Sequence, residues 1–177
     1  LVIDGIIFIK MACEDENAVI PLHMITVIDQ SATANISMRI SSNHRSSGKK
    51  LILLQTDFLA GEDSQLSMFR HQTADDKTLL LVDDEISQSR SSQVEFYNYD
   101  EGAIGLSSKI ASLLMGEGTN ASITGIYRPK PESRYYYDTE QIHSASYSES
   151  DLLYDGVIGE AAYSSWKGNI VVESGTI

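Results

Sequence analysis

Residues Tyr137 to Gly175 read YDTEQIHSASYSESDLLYDGVIGEAAYSSWKGNIVVESG. The apolar pieces in this stretch are short, such as Leu152-Leu153-Tyr154 and Ile170-Val171-Val172. Ser, Asp, Glu and Gly separate them. Runs of this length bounded by turn-forming residues suit β-strands rather than helices. The spacing predicts strands at Arg134 to Tyr137, Asp151 to Tyr154 and Asn169 to Val172.

The same texture extends outward to the N-terminus. Strands are predicted at Ile3 to Met11, Val19 to Asp29, Asn35 to Ile40, Lys50 to Thr56, Thr78 to Val82, Gln93 to Tyr99, Ile104 to Leu114 and Ser122 to Tyr127. Ile36, Met38 and Ile40 alternate with Ser37 and Arg39, and Val94 and Phe96 alternate with Gln93, Glu95 and Tyr97. Such period-two patterns belong to half-buried strands, whereas the unbroken runs Leu51 to Leu54 and Leu79 to Val82 suit strands covered on both faces. Helical spacing occurs only at Leu106, Ile110, Leu113 and Leu114, amid strand signals. Pro129 and Pro131 mark a loop at 128–133, and the polar stretch from Gly61 to Lys77 reads as another loop or a hairpin tip. Many short strands divided by turns mean a sandwich, a barrel or a β-helix. No exact repeat decides among them, and the scarcity of Asn-Gly turns disfavours a meander of tight hairpins.

Composition narrows the function classes. With 177 residues and 42% apolar content the chain is long enough and apolar enough for one globular domain. Its net charge of −12 opposes nucleic-acid binding through phosphates and docking on anionic membranes. No apolar run approaches the about 20 residues of a membrane helix. The opening LVIDGIIFIK lacks a signal peptide's basic segment and cleavage site, and with no initiator Met it suggests a fragment or processed chain. The sequons at Asn35 and Asn120 are read as chance.

Several side chains invite chemical readings. His143 stands near Asp138, Glu140 and Ser144, but no G-x-S-x-G elbow surrounds the serine, and neighbours on a strand alternate faces. An interior or interface histidine is the plainer reading. His23, His44, His71 and Cys13 lack metal-ligand spacing, and one cysteine allows neither an internal disulfide nor a four-thiolate cluster. The acidic runs Glu14-Asp15-Glu16, Asp75-Asp76 and Asp83-Asp84-Glu85 have no EF-hand register and read as solvated turns. The basic group Arg45, Lys49 and Lys50 is small, and no P-loop is present. Tyr135, Tyr136 and Tyr137 fit either a sugar-stacking patch or a strand alternating between core and surface. Trp166 reads as core, packed with Ile170 and Val172.

Three pieces of the opening stretch resemble the SufB/SufD family of iron–sulfur cluster assembly proteins. They are Asp138-Thr139 with His143, then Ser150 with Leu152-Leu153-Tyr154 and Gly156-Val157-Ile158, then Trp166-Lys167-Gly168 with Ile170-Val171-Val172. Asp4-Gly5 and the strand Lys50 to Thr56 are similar to earlier family elements. The resemblance implies an all-β fold, a right-handed parallel β-helix built as a single-stranded solenoid. Residues 1–177 would form one β-helix core domain, incomplete here and part of a longer protein. It further implies a non-catalytic, cytoplasmic scaffold, no enzyme, working with a SufC-type ATPase and a SufB-type subunit in a homo- or hetero-oligomer. The lack of core cysteine makes the chain more similar to SufD. An iron–sulfur cluster would be held transiently by the assembled complex and not by this chain alone. A His at the matching family position leaves His143 as the one candidate cofactor-binding residue, and the family's cluster ligands lie beyond Ile177. The alternative from composition alone is an extracellular β-solenoid that binds or cleaves polysaccharide.

Overall fold

The computed structural model describes residues 2–6, 17–42 and 48–176. Among them, twelve strands and no helix occur: β1 (Val2–Ile6), β2 (Ala18–Ile28), β3 (Thr33–Ile40), β4 (Lys50–Ala60), β5 (Gln65–Gln72), β6 (Thr78–Gln88), β7 (Gln93–Asp100), β8 (Gly105–Leu114), β9 (Asn120–Tyr127), β10 (Arg134–His143), β11 (Glu149–Gly156) and β12 (Tyr163–Val172). Odd-numbered strands form one six-stranded sheet and even-numbered strands the other. Every pairing is parallel. Alternating sheets with parallel neighbours is the topology of a β-solenoid of about five turns. The β-helix expectation is met in this form, a flattened coil with two strands per turn.

The hidden period is visible in the register. Thr33 lies opposite Gln65, Gln65 opposite Gln93, Gln93 opposite Asn120 and Asn120 opposite Glu149, so successive turns take 32, 28, 27 and 29 residues. Each passage from the even sheet to the odd one has a residue in the left-handed region: Ser31 (φ 57°), Asp63 (54°), Ser91 (56°), Gly118 (69°) and Tyr147 (57°). These corners are tied to one another along the stack. Ser31 N donates to Glu62 O at 2.8 Å, Asp63 N to Arg90 O at 2.9 Å, and Ser91 N to Glu117 O at 2.8 Å. In the last three of these corners a serine or threonine closes the turn from inside: the hydroxyls of Ser92, Thr119 and Ser148 donate to the carbonyls of Ser89, Gly116 and Ala145.

The core lies between the sheets, where alternation puts every second side chain. Leu54, Phe58, Leu80, Ile86, Leu106 and Ile110 from the even sheet meet Leu66, Met68, Val94, Phe96 and Ile123 from the odd one. Phe58 and Phe96 pack edge to face with centroids 6.0 Å apart.

Three expectations need correction. The stretch Gly61 to Lys77 is no loop, because it contains β5, whose Leu66, Met68, Arg70 and Gln72 all face inward. Asp83-Asp84-Glu85 is no turn, because it lies inside β6, with Asp84 buried and its neighbours exposed. Trp166 does face inward, in register with Tyr137, yet it is 47% exposed. Among the described residues β12 ends its sheet and pairs only with β10, which leaves one side of the ring open. Cys13, the Glu14–Glu16 run, His44 and Arg45 lie outside the described residues, as does the second half of the strand expected at Ile3 to Met11.

Candidate functional site

Two facing rows of the interior carry polar side chains where a solenoid ordinarily stacks aliphatic ones. On the odd sheet, Met38, Arg70, Asn98, Gly125 and Tyr154 are stacked in register. On the even sheet the row is Met24, Thr56, Asp84, Ile110, Thr139 and Gly168. Arg70 and Asp84 are each 1% exposed at the side chain and form a direct ion pair across the sheets. Thr56 also donates to Asp84, and Arg70 Nη2 donates to Ser108 Oγ at 3.3 Å. The guanidinium sits 5.5 Å from the centroid of the Phe96 ring. Burial works against the Arg70 charge, but Asp84 and Asp100 outweigh it and hold its pKa above the ordinary value.

A second chain of hydrogen bonds adjoins this pair. Tyr154 Oη donates to Asn98 Oδ1 at 3.2 Å, Asn98 Nδ2 donates to Asp100 Oδ2 at 2.9 Å, and Tyr137 Oη donates to the same oxygen at 3.1 Å. Tyr154 reaches Asn98 only because Gly125 stands between them. A Cβ at Gly125 would lie 2.3 Å from the Tyr154 ring. Burial pushes the Asp100 carboxyl up from its usual range, against the pull of Arg70, Asn98 and Tyr137. Burial likewise raises Tyr137 and Tyr154, and Tyr135, whose hydroxyl bonds to the Gly102 carbonyl. The network therefore cross-links the sheets and holds its protons tightly in a water-poor interior.

His143 ends β10 at a corner. Its Nδ1 lies 2.8 Å from Ser148 Oγ and its Nε2 2.9 Å from Ser150 Oγ. Ser148 spends its own hydrogen on the Ala145 carbonyl. In the neutral ring, Nδ1 therefore donates to Ser148, and Nε2 accepts from Ser150. Ser92 and Thr119 occupy the place of Ser148 in the two preceding turns, so this hydroxyl belongs to the corner rather than to the histidine. Asp138 lies elsewhere, 3.6 Å from Lys167, and no triad assembles around His143.

The other residues singled out in the sequence are dispersed. His23 bonds to Asp57 at 2.7 Å, and His71 lies 3.4 Å from Glu101 and stacks on Tyr99. No group of three or more His, Cys, Asp or Glu among the described residues could hold a metal ion. Asp75 is buried rather than solvated. It accepts from Lys50 Nζ at 3.0 Å and from Thr78 at 2.7 Å, which also removes Lys50 from the supposed basic patch. Tyr135 and Tyr137 are buried and Tyr136 is exposed, so the three alternate as strand residues. Arg70, Asn98 and Asp100 went unremarked in the sequence. Their signal is a charged or amide side chain in the inward phase of a strand, and at Arg70 the polar residues of β5 hide that phase.

A family model described as SUF system FeS cluster assembly, SufBD core domain, matches residues 11–176. The chain belongs to the SufBD core domain family. The match covers nearly all of the solenoid, including both polar rows. No protein of curated function matches the chain. The three resembling pieces fall on consecutive strands β10, β11 and β12, the second running on past the end of β11, so what reads as three separate motifs is one turn and a half of the coil. Membership ties the chain to SUF iron–sulfur cluster assembly.

Proposed function

We propose that the chain is a non-catalytic scaffold subunit of the SUF complex, of the SufD type, and that it works with a separate SufC-type ATPase and a SufB-type subunit in the cytoplasm. The family match over residues 11–176 carries this reading. The interior supports it, since the fully buried Arg70–Asp84 pair serves cross-sheet cohesion. The nascent iron–sulfur cluster is cargo of the assembled complex. His143 is the candidate for contact with it, and would have to release Ser150 to offer Nε2. The polysaccharide alternative loses its aromatic platform, because two of its three tyrosines point into the core.

The test is co-expression of the full-length protein with tagged SufC-type and SufB-type subunits. A stable three-component complex that accumulates cluster absorbance is expected. A chain that leaves the other two on the column, or that turns over ATP alone, would sink the scaffold assignment. His143→Ala in the same complex should lower cluster yield without dissociating it.

A further inference from the structure

The outer face of the even sheet changes character along the stack. On β2, β4 and β6 its first two outward rows are apolar: Val19, Leu51 and Leu79, then Pro21, Leu53 and Leu81. Val19 is 64% exposed, Leu79 49% and Leu81 44%. Farther along the same rows stand Gly105, Ser107, Arg134 and Tyr136, so the apolar block is confined to three strands. A groove of about 540 Å³ runs beside it, lined by Pro21, Leu53 and Leu81 on one side and His23, Gln55 and Asp83 on the other. Contiguous exposed aliphatic surface of this kind marks an interaction site.

The rims carry opposite charges. Toward the strand starts, Lys49 and Lys77 are exposed. On the groove side, Asp83 lines the wall, and Asp57 and Glu85 occupy the next outward row. His23 faces Asp57, and Lys109 stands one strand beyond Asp83. Parallel strands lie about 4.8 Å apart, so three of them offer a strip about as wide as one helix.

We propose that this face docks an amphipathic helix of a partner protein. The helix lays an aliphatic stripe on Leu53, Leu79 and Leu81, turns lysine or arginine toward Asp83 and Glu85, and turns acidic residues toward Lys49 and Lys77. The charge order fixes which way the helix is rolled, and the aliphatic block supplies the contact. Docking on this face does not presuppose the ATPase partnership, which the co-purification above tests separately.

A photo-crosslinking amino acid placed at Leu81 of the full-length protein in its host cell, with mass spectrometry of the cross-linked peptide, decides the matter. The expected peptide comes from a different protein and carries aliphatic residues at helical spacing beside lysine or arginine. Asp83→Lys should reduce the adduct about tenfold, equivalent to about 1.4 kcal/mol. The same crosslinker at Tyr97, on the opposite sheet, should not give that adduct. Leu53→Asp should abolish it, and if that variant melts early, Asp83→Lys alone decides. No adduct, an adduct with this chain's own sequence, whether from a second copy or another segment, or an adduct indifferent to Asp83→Lys would each overturn the proposal.

Discussion

Strands β6 and β12 belong to the same sheet and pair in the same parallel manner, yet their burial has little in common. Along β6, Leu80, Val82, Asp84 and Ile86 are buried while the residues between them are exposed. Along β12 no residue is buried, although Trp166, Ile170 and Val172 are more apolar than much of what β6 hides. Among the described residues β6 has β4 and β8 beside it, whereas β12 has only β10. In a stack, then, burial of a side chain depends first on whether turns lie on both sides of it, and only second on its hydrophobicity. A carboxylate in the middle is drier than a tryptophan at the end.

The sharpest way to break that comparison is to remove the carboxylate. Asp84→Ala leaves Arg70 buried beside a lost partner, and uncompensated buried charge costs about 3–5 kcal/mol. Urea unfolding should show the loss. Arg70→Met combined with Asp84→Leu should recover most of it, since an apolar pair suits the surrounding core. If the single substitution cost under half the expected amount, the middle of the stack would be wetter than its burial implies. Truncating the two aromatics tests the same contrast. Phe58→Ala should cost about 3–5 kcal/mol, as full burial demands, and Trp166→Ala only about 1 kcal/mol. Equal losses would mean that the end of the stack is covered in solution. Gly125→Ala falls between these, at about 1–3 kcal/mol, because the new methyl must displace the Tyr154 ring.

How much of this was legible beforehand follows from the range of the forces involved. Alternation is local, so strands such as Asn35 to Ile40 and Gln93 to Tyr99 could be read with nearly correct ends, and the tyrosine triplet could be read either way. The partner of Arg70 is fourteen residues away in sequence and lies on the opposite sheet. No window of a few residues contains it, and the surrounding Ser, Asp and His made β5 look like a loop. Trp166 failed for the complementary reason: its inward direction was legible, while the presence of a covering turn was not. The corner repeat is present in the sequence. Ser64, Ser92, Thr119 and Ser148 recur at steps of 28, 27 and 29 residues, each three residues after a Gly, Ser or Ala. Serine is common enough that the pattern is silent until the register is known.

Two pH responses sharpen the comparison further. Tyr135, Tyr137 and Tyr154 all have pKa values raised by burial. A raised folded-state pKa means that stability is full below the unfolded value, about 10 for tyrosine, and declines as pH rises past it. These three rings should therefore ionise only as the chain opens. Absorbance near 295 nm should rise in step with loss of the strand signal, and early ionisation of all nine tyrosines would contradict it.

The smallest effect belongs to Asp100. Burial raises its pKa, so the folded chain binds this proton more tightly than the unfolded one. Its contribution is complete below the unfolded carboxylate value of about 3.9 and is lost as pH rises through the higher folded value. Burial thus makes the ionised form of the group a liability that Arg70, Asn98 and Tyr137 only partly offset. Asp100→Asn keeps the shape and removes the charge, and its amide oxygen can still accept from Asn98 and Tyr137. The variant should be modestly more stable than the parent at pH 7, and the gain should vanish in acid, below the unfolded carboxylate pKa. Chemical denaturation at several pH values reads this directly. Asp75 supplies the control with the opposite sign. Despite its burial, hydrogen bonds from Thr78, Lys50 and Lys77 hold its pKa below the usual range, so Asp75→Asn should cost stability at pH 7 and less as the pH falls. If Asp100→Asn behaved like Asp75→Asn, the Asp100 charge would be holding Arg70 in place, and Asp84 and Asp100 would share that task.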